Sequence, residues 1–112
     1  DFNKFNLTIK NLKLADNSVN YFIEENIKNN STFLNNSKSI ILSSEFFNYP
    51  EEVTFRSFSK IIKIIGGKYY SVRGKKIDKA LDLINNNSAL KTTLGNCIIK
   101  KVNQSIIVTK EQ

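Results

Sequence analysis

The side chains best placed to do chemistry in this sequence are cations. Arg56, Lys60 and Lys63 recur at spacings of four and three, which on a helix makes one stripe. Lys75, Lys76 and Lys79 cluster within five residues, Arg73 precedes them, and Lys100 and Lys101 stand together further on. Such groups bind phosphate oxygens and position a polyanion without reading its sequence. Tyr69 and Tyr70 lie between two of these clusters. A tyrosine ring can stack on an unpaired base, but the same pair also reads as one core ring and one surface ring. Arg73 reads either as a phosphate ligand or as an anchor on helix-end carbonyls.

Absences narrow the chemistry. The sequence has no His, so a His-based triad, an imidazole base and a His metal ligand are excluded. The single cysteine, Cys97, excludes an internal disulfide and a Cys-rich zinc site. Its apolar flanks mark it as a core residue, and a reduced, cytoplasmic setting is expected. Six residues lie between Gly67 and Gly74 where a phosphate-binding loop has four between its glycines, and Lys76 stands where that loop needs Ser or Thr. Asp78 and Asp82 share a helix face, but beside Lys79 they read as surface decoration. The residue types therefore point to a binding or positioning module, with no metal and no cofactor of its own.

The charge is uneven. The net value is +7, yet residues 1–52 hold five Lys and seven acids, and residues 53–112 hold ten Lys, two Arg and three acids. The second half is a +9 basic module, which suits a polyanion partner. A sequence with sixteen Asn and many Ile and Lys also looks like AT-rich coding, which fills solvated faces with Lys without any partner. Length and composition suit one small domain plus a helical extension. No apolar run approaches the ~18 residues of a membrane span. The chain opens on Asp1 and lacks Met, so a piece of a longer protein is expected.

The elements that must position the cations follow from periodicity. Phe5, Ile9, Leu12, Val19, Phe22, Ile23 and Ile27 predict a long amphipathic helix over about 3–29, with Leu7, Leu14 and Tyr21 as a second stripe. A loop follows through Ser37, then an extended piece at 38–42 and one helical turn capped by Ser43 or Ser44. Pro50, Glu51 and Glu52 open a second helix that Gly66-Gly67 closes. Its inner face is Val53, Phe58, Ile61, Ile62 and Ile65. Ile77, Ala80, Leu81 and Ile84 predict a third helix over 74–86. Three strands follow around 92–94, 97–101 and 105–109, with turns at Gly95-Asn96 and 102–105. The expectation is an α+β fold: a long N-terminal helix, two or three shorter helices, and a small antiparallel C-terminal hairpin or three-stranded sheet. Residues 1–37 form the connecting helix and loop, and 38–112 a small α+β domain.

Several of these segments resemble one family. Pro50-Glu51-Glu52-Val53, then Arg56 and the helix ending in Gly66-Gly67, are similar to the region after the catalytic domain of tRNA(Ile)-lysidine synthetases. The resemblance continues in Tyr70-Ser71-Val72-Arg73, where the family has Tyr-Pro-Pro-Arg, and in Thr92 or Thr93 followed by Leu94-Gly95-Asn96-Cys97, where it has Thr-Leu-Gly-Gly-Cys. The first helix, with Leu14-Ala15-Asp16, resembles the helix that leaves the catalytic domain. The family's Ser-Gly-Gly-x-Asp-Ser loop is absent from these residues, so catalysis belongs to a domain outside them.

That family joins lysine to the wobble cytidine of a CAU-anticodon isoleucine tRNA, using ATP. The resemblance implies a tRNA-binding region of such a ligase, with ATP, Mg²⁺ and lysine handled elsewhere. Arg56, Lys60, Lys63, Arg73, Lys75, Lys76, Lys79, Lys100 and Lys101 are the expected phosphate contacts, and Tyr69 and Tyr70 the expected stacking rings. The alternative is a structural module whose long helix docks on another domain or on a second copy, with no nucleic-acid contact.

Overall fold

Alternation along the last third of the chain becomes a meander in the computed structural model, which describes residues 9–34, 38–67 and 74–111, with side chains from residue 18 onward. Its strands are β3 (Leu90–Leu94), β4 (Cys97–Val102) and β5 (Ser105–Lys110). Gly95 and Asn96 form the first turn with φ of 55° and 66°, a conformation these two residue types adopt at least cost. Asn103, φ 58°, opens the second.

The sheet is larger than the sequence reading expected. Two more strands, β1 (Ser31–Leu34) and β2 (Ser39–Leu42), extend it to five, in the antiparallel order β1-β2-β5-β4-β3. Residues 31–34 were expected to be loop. They pair instead because Ile40 and Leu42 commit β2 to the core beside β5, and its other edge is then open to Thr32-Phe33-Leu34, which suit a strand. The fold class is α+β.

Register assigns the two faces. One rung sets Ile40, Val108, Ile99 and Thr92 side by side, all turned toward the helices. The neighbouring rung sets Ile41, Ile107, Lys100 and Lys91 side by side on the opposite face.

The helices supply the other layer. In α2 (Glu51–Gly66), Glu51 and Glu52 occupy the positive first turn, and Gly67 closes the helix at φ 70° with its N–H on the Lys63 carbonyl. The predicted inner face of α2 is buried, as are Ile77, Ala80 and Ile84 of α3 (Gly74–Asn86). With Phe46, Leu94, Cys97, Ile106 and Val108, all of these but Val53 form one continuous core. The Cys97 thiol points at the Ile62 carbonyl, 3.4 Å away.

The first helix, α1 (Ile9–Asn30), is about 33 Å long. Its start as predicted, at residue 3, lies outside the described residues. Asn26 is fully buried, donating Nδ2–H to the Phe46 carbonyl at 3.0 Å and accepting from Asn30 at 2.9 Å. Six residues beyond Asn30 toward the N-terminus, Glu24 pairs with Lys60 in the third turn of α2, so the two helices run antiparallel. A 3₁₀ turn, Ser44–Phe47, joins β2 to α2. Ser43 caps it by position, although its hydroxyl accepts no cap bond there and instead donates to the Asn30 carbonyl. Among the described residues no helix is long and apolar enough to cross a membrane.

Candidate nucleic-acid interface

Helical spacing sorts the charges of α3 onto two flanks. Lys76, Lys79 and Leu83 face β3 and, with Thr92, Thr93 and Asn96, border a cleft of about 350 Å³. Asp78 and Asp82 lie on the other flank, where Asp78 lines hollows with Glu51, Glu52 and Phe55 at the start of α2. Cations therefore gather on the β3 side of α3 and carboxylates on the α2 side. Lys75 is exposed in the first turn and does not line the cleft.

The basic surface continues around β3. Lys91 and Lys100 are cross-strand partners on the face that no helix covers. Like charges in that position repel, and both side chains are exposed. Among the described residues no carboxylate lies within 4.0 Å of Lys76, Lys79, Lys91 or Lys100. Glu111 is the single acid in the cleft lining, at its rim.

The other expected cations are placed differently. Arg56 is ion-paired with Glu52 one turn earlier, and Lys60 with Glu24 of α1. Both pairs are exposed and contribute little stability; the second ties Lys60 to α1. Lys63 is exposed and does not border the cleft. Lys101 faces the helices and donates Nζ–H to the Ile84 carbonyl at 2.6 Å, near the end of α3. Lys101 thereby anchors a helix terminus. Arg73, Tyr69 and Tyr70 lie outside the described residues.

Sequence reasoning missed Lys91, Thr93 and Asn96. The alternation of Leu90, Thr92 and Leu94 inward carries the signal that Lys91 and Thr93 point outward. What joins Lys91 to Lys100 is the register, which spacing along the chain does not state.

Among the described residues no group of three His, Cys, Asp or Glu side chains could hold a metal ion. Glu45 has its carboxyl held below the ordinary value by the backbone N–H at Glu45 and by the Ser43 hydroxyl, as suits an acid at the start of a helical turn. The arrangement offers positive charges along one strand edge. Comparison with known protein families, curated proteins and solved structures finds no match for this chain.

Proposed function

We propose that this chain docks RNA through its phosphate backbone, along the edge built from α3, β3 and β4. The observation that carries the reading is the segregation of charge across α3. Lys76 and Lys79 face one way with Lys91 and Lys100 beyond them, without carboxylate partners among the described residues, and the α3 acids Asp78 and Asp82 line a hollow on the α2 side. Fixed ammonium groups along an edge position a polyanion by charge and leave base identity unread.

The resemblance to tRNA(Ile)-lysidine synthetases supports a narrower form of the proposal. The RNA is then isoleucine tRNA with a CAU anticodon, and the chain is the tRNA-binding region of the ligase. ATP, Mg²⁺ and lysine are used by a catalytic domain outside these residues. A cytoplasmic location follows from that role.

A second reading has one observation in its favour. Tyr21 is 64% exposed, Phe22 46% and Ile64 47%, on the neighbouring helices α1 and α2. An exposed apolar patch of that kind suits a protein partner or a second copy. Light scattering across a concentration series tests self-association.

The docking reading is tested by fluorescence anisotropy with unmodified tRNA at about 50 mM salt. Lys76→Glu with Lys79→Glu is expected to weaken binding at least tenfold. No binding by the parent chain, or unchanged affinity in the double variant, overturns it.

A further inference from the structure

A second cleft has a different chemistry from the basic edge. It measures about 470 Å³, within the range of small-ligand sites. It opens at the end of the sheet where β3 begins and β4 turns into β5. Its floor is apolar: Phe47, Ile84 and Ile106. The Phe47 ring is held edge-on to Phe46 at 5.0 Å and tilted against Phe58 at 6.2 Å, so its orientation is set by the core.

The rim is built from amides. Asn48, Asn85, Asn86, Asn103 and Gln104 line the cleft, and none makes a side-chain hydrogen bond among the described residues. By contrast Asn87 is committed to the Leu83 carbonyl at 2.8 Å. No carboxylate lines the cleft, and its one cation, Lys101, is committed to the Ile84 carbonyl. Each free amide offers a donor pair and an acceptor in one plane. An apolar floor below and planar donor–acceptor groups around the rim match a flat, uncharged heteroaromatic ring with mixed polar edges.

Position ties this cleft to the basic edge. Leu90, Lys101 and Ile106 form the rung at its base, and the next rung carries Lys91 and Lys100 on the opposite face. One rung is about 3.3 Å along the strand. Lys91 and Lys100 lie on the far side of the sheet from the cleft, so a phosphate strand held there reaches its mouth by rounding the edge strand β3. We infer that the amide-rimmed cleft takes one unpaired nucleobase of the docked RNA, held between the apolar floor and the Asn/Gln amides. This inference rests on the RNA-docking reading.

The test follows side-chain amide resonances of the ¹⁵N-labelled 112-residue chain while adenosine, uridine or glucose is added. The nucleosides carry no phosphate, so the basic edge does not contribute. The expected result is millimolar nucleoside binding that moves the Asn48, Asn85, Asn86, Asn103 and Gln104 resonances. The same shifts are expected in the Lys76→Glu, Lys79→Glu chain. In a second arm, an RNA duplex with a three-nucleotide overhang binds several-fold tighter than the blunt duplex, and Asn85→Leu with Gln104→Leu removes that preference only. Unmoved resonances with duplex affinity intact overturn the base pocket and leave phosphate docking standing. Shifts with glucose and not with nucleosides also overturn it. Nucleoside shifts in a chain that fails to bind tRNA support the pocket and sink the docking reading instead.

Discussion

Lys91 and Lys100 face each other across β3 and β4 on the uncovered side of the sheet, a repulsive pair that folding tolerates and does not need. Lys91→Glu converts the pair to an attractive one. Stability is expected to rise by about 0.2–1 kcal/mol, read from a thermal or urea melt. RNA affinity is expected to fall in the same variant. Opposite signs in the two measurements separate a binding role from a packing role.

Salt dependence counts the phosphate contacts. If Lys76, Lys79, Lys91 and Lys100 all engage, log affinity should fall against log salt with a slope of about −3.5. Lys76→Glu with Lys79→Glu is expected to halve that slope. Arg56→Ala with Lys60→Ala should leave it unchanged, since both cations already hold carboxylates elsewhere.

Lys101 separates structure from binding in the other direction. Lys101→Met keeps the aliphatic stem and removes the ammonium that holds the Ile84 carbonyl. The expected loss is about 1–2 kcal/mol of stability, with the salt slope for tRNA unaltered.

Gly66 sits where the end of α2 meets the β3–β4 turn. A Cβ there would overlap the Gly95 carbonyl oxygen, which is backbone and cannot rotate away. Gly66→Ala is expected to destabilise the fold by about 1–3 kcal/mol, through displacement of the turn.

Asn26 is the buried hinge between α1 and the 3₁₀ turn. Asn26→Ala strands the Phe46 carbonyl and the Asn30 amide. A loss of about 2 kcal/mol is expected in a urea titration.

The helices were legible because their signals are local. Pro50, Glu51 and Gly67 mark the ends of α2, and Ile77, Ala80 and Ile84 mark the face of α3. The extended piece at 38–42 was legible and forms β2, but its partner β1 was not, because Ser31–Leu34 is too short to show a period. Its place depends on β2 joining β5, some seventy residues away in sequence. The candidate site divides in the same way. Lys76 and Lys79 were identified from clustering. The commitments of Arg56, Lys60 and Lys101 depend on Glu52, Glu24 and Ile84, and two of those partners lie on other elements. Lys91 has no cation near it along the chain, and register gives it Lys100 as a neighbour.

The passage from α1 into β1 has a mechanical consequence. Asn30 ends the helix and Ser31 begins the strand with no residue between them, and the joint is fastened by Ser31 to Ile27 and by the Ser43 N–H to Asn30. The helix is therefore a lever welded to the sheet margin. A torque applied near Ile9, about 30 Å from the joint, loads the Glu24–Lys60 and Asn26–Phe46 links to the rest of the fold before it reaches β1 and β2.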